Sequence, residues 1–266
     1  MSIWLKRALS LNQLRKTLGF GNIFAAIKFD LSVDASAKVN FKKALVLSPH
    51  PDDDCFGLGG TIKKMTTAGA EVTVVYFTDG AGGAGGVAGA PEESGQKYDK
   101  NLIEKRKIEA GNAAKILGIK ETIFWGYKDG KLAAGHSAAQ ALKDLIEKIQ
   151  PEIIFLPSFL DNHPDHRATN EIFINAVNAL EKPEFEIWAY EVWSPIFINR
   201  LVDITLYIKT KEEAVAAYQS QISSRRYDKA AVGLAQYRAE VNNIRGFAEG
   251  FFAAPFNLYK ELYEKS

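Results

Sequence analysis

Cysteine is almost missing from this chain: Cys55 is the only one in 266 residues. That excludes an internal disulfide framework and fits a reducing, cytoplasmic setting. Long hydrophobic runs are missing too, and nothing approaches the roughly 18 apolar residues of a membrane-spanning helix. The start of the chain has neither a continuous apolar stretch nor a small-residue cleavage site, so no secretory signal is expected. An excess of one charge is also missing, since the formal net charge is +1. No nucleic-acid partner is expected, nor strong attraction to an anionic membrane. Histidine is scarce, and three of the four, His50, His163 and His166, fall in two short clusters.

What is present is a hydrophobic fraction of 47%, ordinary for a protein that buries a core. The length suits one large domain or two small ones. Residues 1–41 stand apart. Ile3, Trp4, Leu5, Ala8, Leu11, Leu14 and Leu18 recur at helical spacing among Lys6, Arg7, Arg15 and Lys16, which predicts an amphipathic N-terminal extension. A helix packed on the domain, or on a second subunit in a homo-oligomer, is favoured over one lying in a membrane interface. A single domain is expected over 42–266.

Within that domain strands and helices alternate. Ala44–Leu47, Val72–Phe77, Thr122–Trp125 and Ile153–Leu156 read as buried strands. Leu58–Ala68, Leu102–Leu117, Ala138–Ile149 and about 167–180 read as the helices between and after them. Glu186–Val192 and Val202–Leu206 add two strands; Glu212–Ile222 and Tyr227–Val241 add helices. The pattern predicts an α/β fold with a Rossmann-like, mostly parallel sheet covered by helices on both faces. Ligands of such sheets bind beyond the carboxyl ends of the strands. A Gly/Ala-rich stretch, Asp79 to Gln96, is either a mobile lid or a plain surface loop. Gly57, Gly59 and Gly60 are read as allowing close helix–strand packing.

Two clusters carry chemistry. Ser48-Pro49-His50-Pro51-Asp52-Asp53-Asp54 follows one strand, and His163-Pro164-Asp165-His166 follows another. In each, two ligand-type side chains stand three residues apart, able to aim at one point. A hydrolytic zinc site needs about three protein ligands and an open position. Four strong ligand candidates are present, and Asp52, Asp54 and Asp165 are each close enough to take a proton from water. Either cluster alone would suit an ordinary helix start. Together, at two strand ends on one sheet edge, they point to a shared metal site. Cys55 is read as a small buried residue, and His136 as a surface residue.

Pro49-His50-Pro51-Asp52-Asp53 with Gly59-Gly60, and His163-Pro164-Asp165-His166-Arg167, resemble the two signature motifs of the PIG-L/LmbE family of zinc-dependent N-acetylglucosaminyl deacetylases. The resemblance runs from about Lys43 to the C-terminus. It takes in Thr78-Asp79-Gly80, Arg106 with Glu109, Tyr218-Gln219-Ser220-Gln221 and Ala248-Glu249-Gly250-Phe251. It implies removal of an acetyl group from an amino-sugar conjugate by a metal-activated water. It also implies Zn2+, or Fe2+ in its place, held by His50, Asp53 and His166. It makes Asp52 the base, His163 the group facing the oxyanion and leaving amine, and Asp165 the residue that orients His163. Arg106, Asp79 and Asn162 become substrate contacts. Asp54 stands where the family usually has Glu, so a supporting hydrogen bond there would be missing or rearranged. The competing readings are a metal-containing sugar- or glycolipid-binding protein without turnover, and a metal-dependent hydrolase of another bond, such as a phosphoester.

Overall fold

The computed structural model describes residues 32–82, 99–223 and 225–266. The expected N-terminal helix, and residues 83–96 of the Gly/Ala-rich stretch, lie outside them. A compact unit spans Val33–Ser266. Residues just before 42 belong to it: Asp34 bridges to Arg200, and Ala37 and Val39 are buried.

Seven strands form one sheet. In chain order they are β1 (Lys43–Ser48), β2 (Glu71–Thr78), β3 (Glu121–Tyr127), β4 (Ile153–Pro157), β5 (Glu186–Tyr190), β6 (Arg200–Asp203) and β7 (Ala248–Ala253). The spatial order is β3-β2-β1-β4-β5-β7-β6. The first five strands are mutually parallel, while β7 runs antiparallel to both β5 and β6. Among the described residues the helices are α1 (Asp53–Thr67), α2 (Lys100–Leu117), α3 (His136–Ile149), α4 (Pro164–Asn178), α5 (Ile208–Ala216), α6 (Gln219–Ile222), α7 (Tyr227–Glu240) and α8 (Phe256–Glu264).

Strand β1 shows why the sheet sits where it does. Ala44, Leu45, Val46 and Leu47 are all fully buried, because a central parallel strand is covered on both faces. Val46 joins a cluster with Val74, Phe155, Trp188 and Phe251 from neighbouring strands, and with Leu58, Ile62, Met65, Leu117 and Val215 from helices. Helix α3 packs against α4, and α5 against α1 and α2. Helix α2 stops at Gly118, whose left-handed φ of 77° closes its last turn. Among the described residues, no helix is long and apolar enough to cross a membrane.

The order of the strands places the site. The chain steps from β1 outward through β2 and β3, then returns to lay β4 on the other side of β1. Such a reversal opens a crevice at the carboxyl ends of the two strands that flank it. Val46 pairs with Phe155, so the loops after β1 and β4 leave the sheet side by side.

Five elements differ from the sequence reading. Strand β7 and helix α8 are additional, and β7 makes one end of the sheet antiparallel. The expected strand over 202–206 ends at Asp203, where a 3-10 turn (Thr205–Tyr207) leads into α5. Helices α1 and α4 begin earlier than expected, at Asp53 and Pro164, so Asp53 and His166 lie in first helical turns rather than in loops.

Candidate active site

The β1–α1 loop is tied down at nearly every residue. Pro49 O accepts from Thr78 N and Thr78 Oγ1, both at 2.9 Å, and His50 O accepts from Ser48 Oγ at 2.8 Å. Pro51 O accepts from Arg106 Nη2 at 2.6 Å. These bonds hold Asp52 at φ 147°, a left-handed conformation that favours glycine. Strain of this kind is of order 1–3 kcal/mol and collects at functional sites, where surrounding structure over-determines it. Asp53 follows in the first turn of α1, where free N–H groups and the helix dipole favour an anion.

Helix α1 is itself broken at Leu58 (φ −143°). An added Cβ at Gly60 would fall 2.6 Å from Ile204, and one at Gly57 would strike the Tyr190 ring. The glycines do allow the close packing expected of them.

The β4–α4 loop is fixed from below. Asn170 Nδ2 donates to Pro157 O at 2.9 Å and to His166 O at 2.8 Å, and Tyr259 Oη donates to Asn170 Oδ1. His163 caps α4: its Nδ1 accepts from Asp165 N at 3.2 Å, with Pro164 at the first helical position. The neutral ring then carries its proton on Nε2.

Both loops deliver their imidazoles to one point. The His50 and His163 ring centres lie 4.5 Å apart, His50 and His166 5.4 Å, and His163 and His166 5.1 Å. Asp53 Oδ2 sits between two of them, 3.0 Å from His50 Nδ1 and 3.3 Å from His166 Nε2. His166 and Asp53 are almost completely buried. Neither His166 nitrogen nor Asp53 Oδ1 has a hydrogen-bond partner. Orphaned buried groups of this kind are costly, and imidazole with carboxylate is the donor set of a zinc-type cation. The residues present fit a metal ion at this point.

Buried charges set the protonation. Burial drives Asp52 upward to about 7, with Arg106 opposing and Asp53 assisting. Burial would also raise Asp53, but the His166 and His50 imidazoles hold it well below the usual carboxylate range. His166 is raised to about 9 against the effect of burial, by Asp53 and Asp161. His163 goes the other way, to about 4, through burial and the neighbouring His50 and His166.

Two residues that the sequence reading missed complete the set. Asp129, on the β3–α3 loop, places Oδ1 3.3 Å from His50 Nε2. Asp161 places Oδ2 3.3 Å from His166 Nδ1 and accepts from His163 N at 3.0 Å. The available signal was position: both lie in loops at the same sheet edge as the two clusters.

Asp165 behaves differently from its expected role. Its carboxylate accepts from Gly130 N at 2.7 Å and Leu132 N at 3.0 Å and lies 3.1 Å from His50 Nε2. Only its backbone N–H reaches His163. Capping by His163 turns the Asp165 side chain away from that ring toward His50. Arg106 is buried, donates to Gly80 O and Pro51 O, and lies 2.8 Å from Asp52 Oδ2. Asp79 Oδ1 accepts from Ala81 N and Asp129 N at 3.0 and 3.3 Å, which fixes the loop carrying Asp129. Asn162 is exposed between Asp161 and His163. Asp54 is buried and accepts from Tyr76 Oη at 3.1 Å, but its Oδ1 has no partner. His136 is exposed at the start of α3, and Cys55 is free and buried. Glu109 accepts from Ser220 N and Ser220 Oγ, which pins α6 to α2.

Known proteins share this chain's features. The diacetylchitobiose deacetylase of Thermococcus kodakarensis is 29% identical over 221 residues, 76% of this chain and 79% of that protein. The 1D-myo-inositol 2-acetamido-2-deoxy-alpha-D-glucopyranoside deacetylase of Corynebacterium diphtheriae is 24% identical over 55% of this chain and 56% of its own. Among solved structures, the N,N'-diacetylchitobiose deacetylase from Pyrococcus horikoshii superposes with a TM-score of 0.69 at 29% identity. It covers 83% of this chain and 86% of its own. The family model described as PIG-L, GlcNAc-PI de-N-acetylase, matches residues 45–177. That span runs from β1 into α4 and holds both His/Asp clusters, so this chain belongs to the PIG-L family.

Proposed function

We propose that this chain hydrolyses the acetamide of an N-acetylglucosamine-type conjugate, releasing acetate and the free amine. The observation that carries this reading is the meeting of His50, Asp53 and His166 at one buried point, where Asp53 Oδ1 and the His166 ring nitrogens make no hydrogen bond, with Asp52 and His163 beside them. Zn2+ held by His50, Asp53 and His166, with Fe2+ as the alternative, would supply Lewis acidity toward the acetyl carbonyl and the attacking water. Asp52 takes one proton from that water as its oxygen bonds to the acetyl carbon. Arg106, 2.8 Å from Asp52 Oδ2, holds the carboxylate in place. His163 Nε2–H donates to the carbonyl oxygen as negative charge grows there, the kind of preorganised donor that counts most in acyl transfer. The proton that Asp52 took from the water passes to the nitrogen as the C–N bond breaks, so Asp52 is ionised again and His163 stays neutral. Asp165 and Asp129 flank His50 and fix its ring.

A two-metal phosphoesterase fits less well. The second group of ligand-type side chains, His50, Asp129, His163 and Asp165, shares two members with the group His50, His163 and His166. The two cannot be filled independently. The lone, free Cys55 suits a reducing cytoplasm.

Acetate release from N-acetylglucosamine and its β-linked dimer tests the reading. Zinc-loaded protein should release acetate, chelated protein should not, and added zinc should restore turnover. Asp52→Asn should lower kcat by about 10²–10⁴-fold. Wild-type rates from Asp52→Asn, or turnover that survives chelation, would overturn it.

A further inference from the structure

The chemistry above gives Asp161 no part, yet this carboxylate is buried directly behind the proposed ligand His166. It is 3% exposed. Its backbone is set by the turn that leaves β4. Ser158 N donates to Tyr190 O at 3.0 Å, Asp161 N to Ser158 O at 3.1 Å, and Leu160 N to Ser158 Oγ at 3.1 Å. Its side chain faces three nitrogens from two segments of the chain. Oδ1 accepts from His163 N at 3.0 Å. Oδ2 accepts from Trp193 N at 3.0 Å and lies 3.3 Å from His166 Nδ1. Among the described residues no lysine or arginine pairs with Asp161; its ion contact is with His166.

The two nitrogens of His166 face two different carboxylates. Nε2 lies 3.3 Å from Asp53 Oδ2, on the side where the ligand set converges, and Nδ1 looks back at Asp161. A neutral imidazole has one nitrogen lone pair to give and one N–H. Which nitrogen binds a cation is set by the hydrogen bond that the other makes. Both oxygens of Asp161 already receive backbone N–H groups, so it stands behind the ligand rather than among the ligands. The anchor at Trp193 N is braced in turn. Buried Glu191 accepts from Ile196 N at 2.8 Å and pairs with Arg238 of α7, which also donates to Ile196 O at 2.8 Å.

We propose that Asp161 is a positioning residue for the metal: it accepts a hydrogen bond from His166 Nδ1–H when Nε2 binds the cation, and the same carboxylate holds the backbone of His163. The proposal rests on the reading of His166 as a metal ligand. A carboxylate at Nδ1 fixes the ring, keeps the proton off Nε2 and makes the imidazole a stronger ligand. An amide could not take its place. Asparagine offers an oxygen at one end and an NH2 group at the other. Either His163 N–H, or Trp193 N–H together with His166 Nδ1–H, would then meet another donor. One side chain thus sets both the ligand and the residue that faces the oxyanion.

The test is zinc affinity, read by competition with a chromophoric chelator. Wild type should bind about one zinc per chain. Asp161→Asn should weaken binding by about 10–100-fold, while Trp193→Phe, which keeps the backbone N–H, should stay within about twofold of wild type. The urea midpoint of chelated Asp161→Asn protein is the reference. A merely structural role would lower that midpoint and leave the zinc affinity of the folded protein at the wild-type value, which overturns the proposal. A loss as complete as that of His166→Ala would make Asp161 a ligand and overturn it as well. Nitrogen NMR of zinc-loaded wild type needs no variant. His166 should carry its proton on Nδ1 and its zinc on Nε2; the reverse assignment overturns the proposal even where Asp161→Asn fails to fold. Acetate release enters none of these readouts. Zinc held through His166 in a wild type that releases no acetate would sink the deacetylase reading and leave Asp161 in its role. Wild-type zinc affinity in His166→Ala protein would sink the metal site, and this proposal with it.

Discussion

Helix α1 carries two buried ionic clusters, one at its N-terminus and one at its kink, and they are finished differently. In an unbroken helix Gly60 N–H would donate to Phe56 O. Here Gly60 N donates to Glu249 Oε1 at 3.0 Å and Thr61 N to Oε2 at 2.7 Å, while Lys211 Nζ donates to Phe56 O at 2.8 Å and to Glu249 Oε1 at 2.6 Å. The ion pair is inserted into the break, and every charge it buries has a partner. At the N-terminus, by contrast, Asp53 Oδ1 is buried without a partner, and the ring nitrogens of His166 make no hydrogen bond, only 3.3 Å ion contacts with Asp53 and Asp161. A satisfied buried pair is structural. An unsatisfied buried set of imidazole and carboxylate is a site waiting for a ligand. Both clusters are equally hidden from solvent, so burial alone does not tell them apart; hydrogen-bond completeness does.

That contrast can be broken by substitution. The largest expected effect is His166→Ala: bound zinc falls from about one per chain to none, and acetate release is lost. In chelated protein the same change should move the urea midpoint less than a change at Glu249, since it removes 3.3 Å ion contacts with Asp53 and Asp161 rather than hydrogen bonds of 3.0, 2.7 and 2.6 Å. Glu249→Ala should cost about 3–5 kcal/mol in urea unfolding, because it leaves Lys211 charged and unpaired in the interior. Pairing Lys211→Met with Glu249→Gln should recover part of that loss. If Glu249→Ala were as stable as wild type, the kink would not depend on the ion pair. The smallest effect is the difference between Asp52→Gly and Asp52→Ala: both remove the base and strand the buried Arg106, but Asp52→Gly should be more stable than Asp52→Ala by about 1 kcal/mol because glycine relieves the φ 147° conformation. Equal stability of the two variants would show that the turn is not strained.

Much of the frame follows from patterns that are local. Strands β1, β2, β3 and β4 are short apolar runs bounded by turn residues, and their alternation with helices dictates a parallel sheet whose loops share one edge. Each family motif also lies within one short run of chain, at a strand end and the start of the helix that follows. Strand β7 escaped notice because Ala248-Glu249-Gly250-Phe251 contains a charge and a glycine, and its burial depends on Lys211, distant in sequence. Asp129 and Asp161 escaped because a lone aspartate in a loop has no periodic signal. The early start of α4 was hidden by Pro164, which suits a first helical position as well as a turn.

The sequence by itself determined the chemistry on offer: which histidines and aspartates stand three apart, that they follow strands, and that one α/β chain of net charge +1 carries them. Only the tertiary structure decided how those groups are shared out. It turned Asp165 from His163 toward His50, set Arg106 against Asp52, brought Asp129 and Asp161 in from two loops, and left the ring nitrogens of His166 without a hydrogen bond. The reason is physical. Ligand spacing is a property of a few adjacent residues, whereas the partner of a buried charge is whichever group the sheet order brings within about 3 Å, and that order is written across the whole chain.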